Sequence, residues 1–341
     1  MKNCKPSETE QAGKNLYIKS ITITDLVTAM YDSVFFKLTQ AEYSGADFLA
    51  ETACYLEDVA EHQFSDGLVA LTGSIGGLKV SLNRFQVKVR DGSFCKWYLG
   101  DNYQTMGRSD TERAIEKLSD TLHLPMSKAV VTRLDVAQNF ICKHSPEVYL
   151  GHLGMLKYAK RLEEPSGVYY SQADGRLCFY DKNKEQRAKR EDVPELYQGK
   201  NCLRYEQRYT KHLARRLNVP EVTGGLLFDE NFYINLLNRW RDTYKAIDKI
   251  NDITLNFQAM RTKQELYKMG VLSLIEQAGG QVQMIDQINE AQKQGHLTKK
   301  QAFDLRQAVK DASKIKEGLT VPNEAIKELD KKVMEAVRYY R

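Results

Sequence analysis

The chain has 341 residues, 42% hydrophobic and 28% charged, with 50 Lys and Arg against 45 Asp and Glu for a net charge of +5. That is long enough for a well-buried core and roughly two domains, and the composition excludes a disordered or fibrous protein. No run is apolar enough to span a bilayer, the first residues lack an apolar signal core, and six scattered cysteines without C-x-x-C spacing predict reduced thiols, with neither a disulfide frame nor a zinc site.

Residues 1–29 read as a polar arm ending in the apolar stretch Ile21–Val27, and a globular pattern begins at Met30. Tyr31–Leu38 reads as a strand. Gly45–Glu61 reads as a helix, with Phe48, Leu49, Ala53, Leu56 and Val59 near helical spacing. Strands follow near 67–73 and 77–90, and Gly73–Gly77 suits a turn between them better than a phosphate cradle. Asp91-Gly92 is a hairpin signal leading into Phe94–Leu99. Ser109-Asp110-Thr111-Glu112 has the form of a capping box, opening a helix that runs to about 122–124. A strand follows at 131–140, then a helix starting at Ser145-Pro146-Glu147. Asp174-Gly175 joins strands at 167–171 and 176–182 into a second hairpin, and a strand at 202–209 leads into a short helix through Arg216. Helix-then-hairpin on both sides of 131–140 predicts two related α+β units within one catalytic domain, residues 30–228, built on a central antiparallel-rich sheet flanked by helices.

From Asp229 the pattern is helical, with Phe232, Leu236, Leu237 and Trp240 on one face and further helices near 264–277, 281–294, 298–316 and 322–340. The pair 281–294 and 298–314 has the spacing of a helix-turn-helix, against which a plain bundle weighs about twice as heavily. Residues 229–341 are thus expected to be an all-helical region that binds DNA or a partner.

Three strands carry the chemistry. Alternation with period two puts Arg133, Asp135 and Asn139 on one face of the first, Arg176, Tyr180 and Lys182 on one face of the second, and Arg204, Glu206 and Arg208 on one face of the third. If they share a sheet, its polar face gathers two carboxylates, several cations and a tyrosine. Asp135 and Glu206 are hard oxygen ligands suited to Mg2+ or Mn2+, and Arg133, Arg176, Arg204 and Lys182 suit phosphate oxygens. Tyr180 could attack a phosphodiester and keep the bond energy in a phosphotyrosine. Tyr169 and Tyr170, on the partner strand of the hairpin, compete for that role. The plainer reading pairs Asp135 and Glu206 with Arg133 and Arg204 across strands. Between Lys182 and Arg216, 11 Lys and Arg against 5 Asp and Glu suit a phosphate backbone, or equally a surface laced with ion pairs. No G-x-x-x-x-G-K-[ST] loop or hydrolase triad is present.

Thr132-Arg133-Leu134-Asp135, then Tyr180-Asp181-Lys182-Asn183-Lys184-Glu185, then Arg204-Tyr205-Glu206 resemble, in that order, blocks of the phage/plasmid replication initiators. These are the gene II/X-type proteins of filamentous phage and the trans-acting initiators of small rolling-circle plasmids. The resemblance covers about residues 30–220. It implies a rolling-circle initiator or relaxase that nicks one strand of origin DNA through Tyr180, leaving a 5′-phosphotyrosine and a 3′-OH primer. It implies metal ligation by Asp135 and Glu206, with Glu185 as a further ligand, beside which Arg133, Lys182 and Arg204 are expected to act as catalytic cations on the phosphate. It also implies Mg2+ or Mn2+, a bacterial cytoplasm, and a host helicase or second copy as partner. The six histidines form no His-hydrophobic-His pair, which points to a branch with acidic metal ligands. The rival reading is an initiator or repressor that holds origin DNA without cutting it.

Overall fold

The computed structural model describes residues 30–45, 47–65, 67–253, 262–313, 320–321 and 323–338; the arm and its apolar stretch lie outside them. The first half of the fold contains β1 (Tyr31–Thr39), α1 (Phe48–Thr52), β2 (Glu57–Gln63), β3 (Val69–Ile75), β4 (Leu78–Asn83), β5 (Gln86–Arg90), α2 (Phe94–Leu99) and α3 (Arg108–Leu122). The second contains β6 (Val130–Cys142), α4 (Pro146–Gly151), β7 (Leu153–Leu156), β8 (Lys160–Glu164), β9 (Gly167–Gln172), β10 (Gly175–Asp181), α5 (Lys182–Ala188), β11 (Asn201–Tyr209), α6 (Leu213–Leu217) and α7 (Glu230–Lys245).

Ten of these strands form one antiparallel sheet in the order β2-β3-β4-β5-β1-β6-β11-β10-β9-β8. Each half starts with a strand and a short helix. A four-stranded meander then returns to the starting strand: β5 pairs with β1, and β11 pairs with β6. The halves meet where β1 pairs antiparallel with β6, so an approximate two-fold axis relates them. This is the expected pair of related α+β units, joined edge to edge into one sheet.

Alternation sets the two faces apart. Val34, Phe36, Val87, Val89, Leu134, Val136, Leu177, Phe179 and Tyr205 are buried on one face, in a single core with α3, α7 and α11 (Glu324–Arg338). Tyr205 lies between the rings of Phe179 and Trp240, stacked on both at centroid distances of 4.3 and 4.4 Å. The opposite face of the sheet is polar.

Several local expectations are corrected. The helix expected over 45–61 is only α1 and one 3-10 turn, and Glu57–Gln63 is the edge strand β2, exposed along its whole length. Phe94–Leu99 is helical because the Ser93 hydroxyl accepts the Lys96 N–H and starts a helix in place of a hairpin strand. The cap of α3 is Gly107 with Asp110, whose carboxylate accepts the Gly107 N–H at 3.2 Å, slightly ahead of the Ser109 box. The change of texture at 229 is not a packing boundary, since the Tyr205 hydroxyl donates to the Trp240 carbonyl and fixes α7 to the sheet. Beyond α7, the short β12 (Ile247–Lys249) pairs with β7. Two-residue β13 (Asp252–Ile253) pairs with β14 (Thr320–Val321). Between that pair lie α8 (Lys263–Gln277), α9 (Gln281–Lys293) and α10 (Lys299–Ser313), which share their own small core of Ile275, Ile288, Ala302, Val309 and Ala312.

Candidate active site

The three signature strands are neighbours. Register sets Tyr180 opposite Arg204 and Arg204 opposite Asn139, with Cys178, Glu206 and Ala137 in the next row and Arg176, Arg208 and Asp135 in the one after. Directly opposed residues share a face, so the polar face runs unbroken across β10, β11 and β6. Asp32, near the start of β1, joins them: one carboxylate oxygen each from Asp32, Asp135 and Glu206 lies within 4.8 Å of the others. Asp32 is the member that sequence reasoning missed. Its only signal is a lone carboxylate in the largely apolar stretch Met30–Phe36.

All three carboxylates are buried, at 6%, 1% and 2% exposure in chain order, so their charges need partners. Arg204 is fully buried. It contacts Asp32 at 2.8 Å and Glu206 at 3.6 Å, and donates hydrogen bonds to the Asn102 carbonyl and to Asn139 Oδ1. Arg133 grips Asp135 with two hydrogen bonds, and Arg208 donates to Glu206 at 2.7 Å. These two guanidinium groups sit at the rim, about 30% exposed. Burial pushes the Asp135 carboxyl above its usual range, and neighbouring Glu206 adds to this against the pull of Arg133. Burial acts on Glu206 too, but there Arg208 and Arg204 prevail and hold it well below that range. Three carboxylate oxygens this close could hold a metal ion.

Tyr180 donates its hydroxyl to Glu206 Oε2 at 3.1 Å. Burial, with the Glu206 charge second, holds its pKa well above that of a free tyrosine. Tyr169 and Tyr170 are separated by the pleat. Tyr170 is buried on the apolar face and donates to the Gly154 carbonyl at 2.7 Å. Tyr169 stands opposite Cys178 on the site face, half-buried, with the Arg176 guanidinium 4.3 Å above its ring. Gly167 faces Tyr180, and a Cβ there would lie 2.9 Å from the Tyr169 hydroxyl, so Tyr169 leans toward Tyr180.

Glu185 is not among the three converging carboxylates, although Lys182 beside it is close enough to feel the charges of Arg204 and Asp32. Lys182 is the first residue of α5, where the strand has ended, and its ammonium is buried against Glu185 at 2.8 Å. Glu185 also binds Lys189. The basic segment 182–216 is partly balanced from outside: Lys184 pairs with Glu147, Arg204 with Asp32 and Arg215 with Asp174. Arg176 makes no ion pair with a described residue, and its buried Nε has no hydrogen-bond partner among them.

No curated protein matches the chain. Residues 30–242 match the Phage CRI family model, described as the N-terminal region of a replication-associated protein, and the match takes in both halves of the sheet and most of α7. With well over half of its length matched, the chain belongs to this family of phage replication-associated proteins, and its role is replication initiation, with DNA as its partner.

Proposed function

We propose that the chain initiates rolling-circle replication by nicking one strand of origin DNA with Tyr180. The observation that carries this reading is the Tyr180 hydroxyl within hydrogen-bond reach of Glu206, a member of the three-carboxylate cluster. Asp32, Asp135 and Glu206 would hold Mg2+ or Mn2+, which when bound draws charge from the attacked phosphate and favours the phenolate. The cations divide by depth. Arg204, sealed from solvent, positions Asp32 and Glu206. Lys182, equally sealed, holds the first turn of α5 through Glu185. Arg133 and Arg208 at the rim, and Arg176 beside Tyr169, meet the phosphate oxygens.

In the chemical step the phenolic proton passes to water, the hydrogen bond to Glu206 having oriented the hydroxyl. The Tyr180 oxygen bonds to phosphorus, the bond from phosphorus to the 3′ oxygen breaks, and that oxygen takes a proton from water. One phosphodiester is exchanged for another, so the bond energy stays available for rejoining. Tyr169 supports a second reading of the nucleophile, because it is the more accessible of the two tyrosines on the site face and its hydroxyl lies near Gly167, opposite Tyr180.

Intact mass after incubation with an origin-strand oligonucleotide and Mn2+ tests both. A covalent adduct in the wild type that vanishes in Tyr180→Phe, but persists in Tyr169→Phe, is the expected result. The reverse pattern moves the nucleophile to Tyr169. No adduct with the wild type, despite tight binding, would favour a non-catalytic origin-binding protein.

A further inference from the structure

The two-fold relation between the halves sets β4 and β5 in correspondence with β10 and β11. In the second half that face carries the site. In the first half it carries Lys79 and Ser81 on β4, and Lys88 and Arg90 on β5, with no carboxylate on either strand. Register sets Lys79 directly opposite Arg90, and Lys88 directly opposite Lys37 of β1. Like charges facing each other across a sheet are destabilising. Lys79, Lys88 and Arg90 make no ion pair with a described residue, whereas the cations around the carboxylates mostly do. Lys79 and Arg90 also line an open depression of about 470 Å³ together with Thr72, Ser74, Ser81, Asp58 and Asp91. Cations set face to face in this way call for an anionic ligand that spans them.

We infer that this half of the sheet is a track for the single DNA strand flanking the nick, gripping its phosphates through Lys37, Lys79, Lys88 and Arg90. The inference rests on the nicking role proposed above. Two features favour a single strand. The track is continuous with the site: Arg133 faces Phe35 across the β6–β1 junction, and Lys37 is two residues further along β1 on the same face. From β6 to β3 it spans four strand spacings, about 19 Å at ~4.8 Å each. Phe35, half-buried with the Arg133 guanidinium 4.9 Å over its ring, lies between the cations of the two halves where a base can stack. The first half would then be a non-catalytic counterpart of the second, with cations on the strands that hold the site in the second half.

The test compares full-length wild type with the triple variant Lys79→Gln, Lys88→Gln, Arg90→Gln, using fluorescein-labelled oligothymidylate and a labelled mixed-sequence duplex, each across a salt series. Wild-type affinity should exceed the variant's by at least about tenfold at low salt, and the log–log salt slope should fall by about 2, from ~0.7 per lost phosphate contact. The variant should melt no lower than the wild type, since only repulsion has been removed. Unchanged affinity and slope in a folded variant would overturn the track. So would loss of duplex binding alone, which would make the face a duplex platform. Failure of the nicking role looks different: the wild type itself would form no adduct.

Discussion

At the scale of single residues, the site is a balance of buried charges, and most of it can be perturbed one group at a time. Removing one member of a buried pair leaves the other uncompensated, which costs roughly 3–5 kcal/mol. Arg204→Met should therefore destabilise the protein by about that much in urea unfolding, because Asp32 and Glu206 lose their shared cation. Asp32→Asn, Asp135→Asn and Glu206→Gln should each weaken Mn2+ binding by at least about tenfold, or ~1.4 kcal/mol, in calorimetry, whereas Glu185→Gln should not. An equal loss with Glu185→Gln would bring α5 into the metal site. Acidity gives a further check in EDTA. Asp135 holds its proton more tightly folded than unfolded, its pKa raised to about 7, so its contribution to stability falls as pH rises from the ordinary carboxylate range toward 7. Glu206 has the opposite sign: its contribution is present above its usual range and is lost as pH falls toward about 2. Melting temperature should thus decline between about pH 4 and 7, and Asp135→Asn should flatten that decline. Asp135, Glu206, Tyr180 and the arginines are legible in the sequence because period-two alternation exposes a charged face. Asp32 is not, because a single carboxylate in an apolar strand has no periodicity to announce it; only the β1–β6 pairing brings it in.

At the scale of elements, legibility follows burial. Strands with one apolar and one charged face, such as β6, β10 and β11, alternate strongly and can be read nearly to their ends, and α9–α11 show in turn glycines and amphipathic spacing. β2 and β8, at the two edges of the sheet, are mostly exposed and have no apolar face to alternate, so β2 reads as the end of a helix and β8 gives no signal. The first turn of α5 reads as strand because Lys182 continues the alternation of β10, although the Asp181 carboxylate caps the helix by accepting the Lys184 N–H at 3.0 Å. α7 reads as the start of a separate helical region because composition reports where strands stop, not where packing stops. Its Trp240 is fully buried, stacked on Tyr205 directly behind the site strands. Trp240→Ala should cost about 3–5 kcal/mol of stability. It should also impair nicking, through the loss of support under β11. A fully active and stable variant would show that α7 does not brace the sheet.

At the scale of the molecule, the packing redraws where the chain can be divided. Ending it near residue 229 would strip α7 and α11 from the apolar face of the sheet and expose Phe179 and Tyr205, so such a fragment should not fold. The separable piece lies elsewhere. Ile253 pairs directly with Thr320, so the chain leaves and re-enters the main body at neighbouring points of one small antiparallel ladder. Helices α8–α10 hang between those points on their own core, touching the main body at the Glu276 carboxylate, which accepts the Asn251 N–H at 3.2 Å, and where the Gly279 carbonyl comes close to Gly154 of β7. Antiparallel strands at that separation can be closed by a two-residue Asn-Gly turn. Replacing residues 254–319 with that turn should therefore leave the sheet, α7 and α11 intact and the melting temperature little changed. The expected division of labour then follows from what each part offers. The carboxylates, Tyr180 and the arginines stay in the shortened protein, so it should form the covalent adduct with an origin-strand oligonucleotide at the wild-type rate. Recognition of an unopened duplex origin needs contacts that the site face does not supply, and the excised helices are the part of the molecule free to make them. Nicking of duplex origin DNA should fall by at least about tenfold, equivalent to ~1.4 kcal/mol of lost binding. Duplex nicking that survives the excision undiminished would remove these helices from origin recognition and assign them to self-association or to a later replication step. A shortened protein that fails to fold would show instead that they brace the main body.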